Sequence, residues 1–330
     1  MKSTDLVATY ASMKNNSILL LASTENLLAS GSQTDLDEAC ANWKGTRKPW
    51  ESSEAFLFGP ASFKNLAPLL DSWPLDQTQL DNVLAGNQEL TADFVRNSLG
   101  SGLRGFHTIE YLIFRNGTAR TASEVSLREK QYLVAVTEVL RDDCTTLWAL
   151  WAGVEDGTEE AEILENIEVS VGTPYAEEFK NSGKAGSRYL SQTNAVEEII
   201  QGMIDIAAEV GSQKIAGPVK SQNVLNVESW FSWNSLTDFT NNVRSIENAY
   251  INGYNGSTPG SSLSAFVKAI DPTIDAEVKA KIAAAVTAIN DIPAPFRNSL
   301  NNTEKTSAAI SAMSDMEDVL TKKVLTLVVD

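Results

Sequence analysis

The chain has 330 residues, with 43 acidic against 26 basic side chains and a formal net charge of −17. A surface this acidic repels nucleic acid and anionic lipid, because gripping phosphates requires Lys and Arg to displace counterions. The single histidine excludes three-histidine zinc centres, paired zinc-finger histidines and the two-histidine di-iron site of helical bundles within one chain.

Hydrophobic spacing is helical wherever it is clear. Apolar stripes at three- and four-residue intervals predict helices over about 5–30, 35–58, 103–115, 194–211 and 235–251. Another helix is expected from a Thr121-x-x-Glu124 capping box, with Tyr132, Val136, Val139, Leu140, Leu147 and Trp151 on one face. Between Gly153 and Ser170 lie seven carboxylates and no base, read as a solvated connector or helix face; the order of a calcium loop is absent. Asn181 to Ser187 and the Gly253 to Ser262 turn cluster mark breaks. Asp271 as N-cap, Pro272 in the first turn and Pro293 as stop delimit a helix carrying Ile274, Val278, Ile282, Val286 and Ile289. A last stripe runs from Ile310 to Leu327, which favours helix over strand at the C-terminus.

No sustained period-two alternation occurs, so the fold class is all-α. The reading is two helical, bundle-like domains, 1–186 and 187–330. Cys40 and Cys144 are too far apart in sequence for a CxxC motif and are expected as two buried thiols, with one disulfide as the alternative. No run approaches the ~20 apolar residues of a membrane helix. Ile18 to Ala22 is too short for a signal core, so the chain as given is expected to be soluble.

Gly100-Ser101-Gly102-Leu103-Arg104-Gly105 matches GxGxxG, but no buried strand feeds it, so these glycines are assigned to a kink or close helix packing. The lone histidine lies just beyond. His107 and Glu110, spaced i, i+3, share one helical face, where they can exchange a proton or bind a cation; a satisfied core hydrogen bond is the structural alternative. Two ligands do not complete a metal site, so further oxygens must arrive from elsewhere. Asp205 and Glu209 fall opposite the apolar face of their helix and are expected to be solvated unless the other half presents itself to them.

The run Gly105-Phe106-His107-Thr108-Ile109-Glu110 resembles the GxHxxE signature of the imelysin family. Matching pieces follow in order: Trp50 to Pro60, Asp71-Ser72-Trp73-Pro74, Gly202 to Pro218, and Glu228 to Ser232 followed by Asn234 to Asp238. The resemblance covers about residues 45–250. It implies two helical halves with a site between them, export to the bacterial periplasm or anchoring as an outer-membrane lipoprotein, a connection with iron uptake, and a metallopeptidase label. No lipid-bearing cysteine stands near the start, which suggests a mature segment.

On this basis His107, Glu110 and Glu54 are the expected metal ligands, and Arg104, Trp50, Tyr111, Glu228 and Ser232 the expected ligand-binding residues. The expected cofactor is a metal ion, iron ahead of zinc. Its partners would be the metal or a metal-bearing small ligand and an envelope uptake component, with no nucleic acid. A binding or uptake protein is favoured. A zinc peptidase using the same site and a non-catalytic interaction scaffold are the alternatives.

Overall fold

The computed structural model describes residues 3–251 and 262–329. In the N-terminal half the long helix Ser3–Ser30 packs against two others, Gln33–Glu51 and Leu127–Ala152. The first two form a hairpin, and Gly31 makes the turn at φ +66°, a conformation open to glycine. Ser32 then caps the second helix by accepting from the Asp35 amide. Tyr10, Met13, Leu20, Leu36, Trp43 and Trp151 are fully or almost fully buried between these helices.

The third long helix starts later than expected. Its capping box is Ser126 with Glu129, whereas Thr121 to Glu124 forms a short 3-10 turn. Two S/T-x-x-E patterns compete here, and Arg120 settles the choice by pairing with Glu129 at 2.7 Å. The 103–115 stripe is likewise cut at Ile113. Phe114–Arg115 and Thr118–Ala119 pair as a two-stranded hairpin, turned by Asn116 and Gly117 at positive φ.

In the C-terminal half, Gln192–Glu209, Ser235–Ile251, Pro272–Asn290 and Thr303–Val319 pack together, with Leu263–Ile270 on the outside of Pro272–Asn290. Asp271 caps Pro272–Asn290 by accepting from Thr273 and Ile274, as its sequence predicts. Short π-helical turns at Val210–Ile215 and Leu320–Leu325 extend two of these helices. The turn cluster expected from Gly253 falls outside the described residues up to Ser262, which caps the helix Leu263–Ile270. Six of the seven carboxylates between Gly153 and Ser170 face solvent, and Glu160 pairs with Lys14. Cys40 and Cys144 are both buried and free. No described helix is long and apolar enough to cross a membrane.

The segment around residue 187 lies between the helices Tyr175–Lys180 and Gln192–Glu209. Contact between the halves passes through the end of Gln33–Glu51 and the 3-10 turn Glu54–Phe56, which meet Gln192–Glu209 and Ser235–Ile251. Ser245 Oγ accepts from the Ala55 amide at 3.0 Å. Gly202 lets the helix Gln192–Glu209 come so close that a Cβ there would stand 2.2 Å from the Ala55 carbonyl oxygen. Backbone cannot yield as a side chain can. Gly202→Ala should therefore lower stability by about 1–3 kcal/mol in denaturant titration, and wild-type stability would show that this contact does not set the seam.

Candidate functional site

The motif helix Gly105–Ile113 is buried along its whole length. Gly105 begins it at φ +78°, and a Cβ there would meet the Leu70 carbonyl oxygen at 2.3 Å. Only glycine admits this approach, which brings the helix against the end of Leu66–Leu70 and so against Asp71. The first glycine of the motif thus sets the distance between His107 and its acidic partner.

His107 has no exposed surface, yet it is enclosed by polar groups. Its Nε2 lies 3.0 Å from Asp71 Oδ1 and 3.8 Å from Glu228 Oε1, while Nδ1 lies 2.9 Å from Glu110 Oε2. The other Glu110 oxygen accepts from the Ser232 amide at 2.8 Å and from its hydroxyl at 2.7 Å. Burial and the neighbouring Arg47 both oppose protonation of the ring. Asp71 and Glu110 outweigh them and hold its pKa well above the ordinary histidine range. Trp73 closes one side, edge-on at 4.7 Å between ring centroids.

Arg47 occupies the centre. It is fully buried and reaches Glu51 at 2.6 Å, Asp71 at 2.5 Å, Glu228 at 2.6 Å and Asp238 at 3.6 Å. Its Nη2 is 3.4 Å from His107 Nε2. The π-helical turn Val210–Ile215 delivers Lys214, whose Nζ lies 3.0 Å from Glu54 and 3.2 Å from Glu228; such turns are frequent at functional sites. Asn242 donates to Glu51 at 2.5 Å and to Glu54 at 2.8 Å. Burial pushes Glu54 up to about 8 and Asp238 up to about 6. Glu228 goes the other way: burial acts to raise it, and Lys214, His107 and Arg47 overcome this and bring it to about 2.

The cluster forms one wall of a cavity of about 330 Å³ between the halves, bordered by Trp50, Glu54, Asp71, Trp73, Lys214 and Glu228. Ser229 and Trp233 adopt positive φ on either side of the Ser232 turn. The hairpin supports this segment: Gly117 donates to the Phe231 carbonyl at 2.9 Å, and a Cβ on Gly117 would collide with the Trp233 ring.

Of the residues expected from sequence, His107, Glu110, Glu54, Trp50, Glu228 and Ser232 come together here. Glu110 does so behind the ring, where it fixes His107 rather than sharing a ligand point with it. Trp50 donates its indole N–H to Asp71 Oδ2 at 2.7 Å. Arg104 does not join; its guanidinium pairs with Asp143 at 2.5 Å. Tyr111 is also outside, donating to Asp81 at 3.2 Å beneath the Arg115 guanidinium. Glu209 corrects the solvated reading: it lines the cavity, and burial raises its pKa, whereas Asp205 is exposed. The two differ because the end of their helix turns Glu209 toward the other half.

Arg47, Glu51, Asp71, Lys214, Asp238 and Asn242 were not singled out by sequence. A usable signal existed for four of them. Glu51, Asp71, Lys214 and Asp238 each lie inside a segment carrying the imelysin resemblance, and a charge held within a matching segment is a candidate for the shared site.

Among the described residues, two groups of His and carboxylate donors could hold a cation: His107, Asp71 and Glu228, and Glu51, Glu54 and Asp71, each with ligand atoms within 4.8 Å of one another. One imidazole with several carboxylates suits a hard or borderline ion such as iron. The first group fits on one condition. Nε2 must give up the proton it shares with Asp71, and Arg47 must loosen its hold on Asp71 and Glu228.

Comparison with known proteins agrees with this architecture. A curated relative, "Iron-regulated protein A" of Synechococcus elongatus, is 27% identical over 326 residues, covering 98% of this chain and 83% of the relative. A crystal structure from Parabacteroides distasonis, of a protein named as an iron-regulated protein A precursor, superposes with a TM-score of 0.84 at 35% identity over 98% of this chain and 91% of that one. An imelysin-like protein from Psychrobacter arcticum 273-4 shares the fold at a TM-score of 0.72 and 12% identity, over 97% and 90% of the two chains. Residues 6–322 match the family described as imelysin, and the chain belongs to that family.

Proposed function

We propose that this chain is a cell-envelope protein that binds a metal ion, or a small metal-bearing ligand, in the cavity between its halves, with iron preferred. The observation that carries this reading is the meeting of His107 Nε2 with Asp71 and Glu228, two carboxylates that line an acid-rich cavity while the imidazole lies buried behind them. The names of the relatives, both called iron-regulated, support the choice of iron. The family resemblance supports a place in the periplasm or at the outer membrane, and an uptake partner that receives the cargo.

In this reading Glu110 and Ser232 hold the imidazole by its Nδ1 side, so Nε2 always faces Asp71. A bound ion would supply Lewis acidity and positive charge at that point. Arg47 and Lys214 supply part of the positive charge for the cluster, which keeps its carboxylates together within the fold. Binding is preferred to hydrolysis because the site brings one imidazole among carboxylates, which leaves a hydrolytic zinc short of its usual two or three nitrogen ligands.

Calorimetric titration of the stripped chain with Fe(II) and with Zn(II) should show saturable binding accompanied by proton release. His107→Ala and Asp71→Asn should each weaken it by ~10–100-fold or more. Unchanged uptake in both variants contradicts the proposal.

The charge pattern gives a second test. Glu54, lifted by burial from 4.5 to about 8, binds its proton more tightly folded than unfolded. Its contribution to stability is therefore present below the unfolded carboxylate value and is lost as pH rises toward 8. Glu228, held at about 2, contributes in the opposite sense, above 4.5, and loses that contribution only as pH falls toward 2. Denaturant unfolding between pH 5 and 8 should show stability falling with pH, and Glu54→Gln should flatten the slope. Equal slopes would show that Glu54 ionises freely.

A further inference from the structure

A second cluster of oxygens lies away from the cleft. Tyr175 starts the helix Tyr175–Lys180, Tyr189 follows the next turn, and Glu198 stands on Gln192–Glu209. The two phenol oxygens are 2.6 Å apart. Tyr189 donates to Glu198 Oε2, and the Tyr175 oxygen is 3.5 Å from that same carboxylate oxygen. Both rings are nearly buried, at 5% and 7% exposure; Tyr189 and Glu198 line a cavity of about 500 Å³ with Arg188, Asn194, Ser62 and Phe63, and Tyr175 reaches it only through these two partners.

The phenols are held in place by packing. Tyr175 stands edge-on against Trp151 at 4.8 Å, and Tyr189 packs tilted against Phe179 at 4.6 Å. Gly59 leaves space for the Tyr175 ring that any Cβ would fill, at 2.4 Å. Adjacent oxygens around an octahedral ion bound at ~2.0–2.1 Å are spaced by roughly 2.9 Å, and the Tyr175 oxygen lies 2.6 Å from that of Tyr189 and 3.5 Å from that of Glu198, on either side of that spacing.

We propose that Tyr175, Tyr189 and Glu198 form a second metal site, selective for ferric iron, with its remaining positions open to the cavity for water or a small chelating anion beside Arg188. Two phenolates and a carboxylate offer three hard, anionic oxygens, a set that suits a trivalent ion better than Zn(II) or Fe(II). The phenol protons leave to solvent as the ion binds. Arg188, 5.3 Å from the Tyr175 ring centre and 5.2 Å from that of Phe63, is placed to balance an anion that completes the coordination. This site stands independently of His107, on a different cavity.

Phenolate bound to Fe(III) absorbs visible light by charge transfer, which gives the test its own readout. The stripped full chain, titrated near neutral pH with Fe(III) nitrilotriacetate, should develop such a band, saturating at one equivalent. Tyr189→Phe should lose it, Glu198→Gln should shift it and weaken iron retention against a competing chelator by ~10-fold or more, and His107→Ala should keep it. Zn(II) binding in the cleft, unchanged in Tyr189→Phe, shows that this variant is folded. No band in the wild-type chain, or a band that survives in the Tyr175→Phe, Tyr189→Phe double variant, would mean a hydrogen-bonded chain of side chains only. Loss of the band in His107→Ala would place the colour in the other cleft and overturn the assignment.

Discussion

A guanidinium with no exposed surface must find its counter-charges inside the protein, because desolvation removes several kcal/mol per ion that only well-placed partners return. Arg47 finds them on four separate elements: Glu51 on its own helix, Asp71 after Leu66–Leu70, Glu228 before the Ser232 turn, and Asp238 on Ser235–Ile251. Phe106, at 5.2 Å, covers one face of the group. The N-terminal and C-terminal halves are therefore joined by charge as well as by apolar packing. Withdrawing one partner from such a cluster costs about 3–5 kcal/mol in comparable buried pairs.

The cluster also explains why the site can be both buried and polar. Glu51, Glu54, Asp71, Glu110, Glu228 and Asp238 outnumber Arg47, Lys214 and His107. The excess is met within the fold in two ways. Some carboxylates, such as Glu54, are pushed toward their neutral form by burial, and others, such as Glu228, are held ionised by a neighbouring base. An entering cation relieves the same imbalance, which links the fold's electrostatics to the proposed function.

Much of the fold was legible in the sequence because it rests on local rules. The stripe of Tyr132 to Trp151, the Asp271 cap and the run from Ile310 to Leu327 read correctly from periodicity and capping alone. The errors were also local. Thr121 and Ser126 offer rival caps, and the choice depends on Arg120 reaching Glu129, a tertiary contact. The site was legible in its anchor, since His107 and Glu110 need only helical spacing to share a face. Arg47 was hidden, because an ordinary basic residue on a helix reads as solvated until distant acids are known to surround it. Arg104 and Tyr111 were drawn in by nearness to the motif along the chain. In space their side chains serve Asp143 and Asp81.

What decides the account is where a metal ion comes to rest. Anomalous diffraction from crystals soaked in Fe(II) or Zn(II), recorded at the absorption edge of the metal, would locate it without reference to activity. The account predicts a peak ~2.0–2.5 Å from His107 Nε2 and from an oxygen of Asp71 or Glu228, with the Arg47 guanidinium displaced from its present contacts. A cleft with no anomalous peak, in which Arg47 still spans Asp71 and Glu228 and His107 still donates to Asp71, would contradict it.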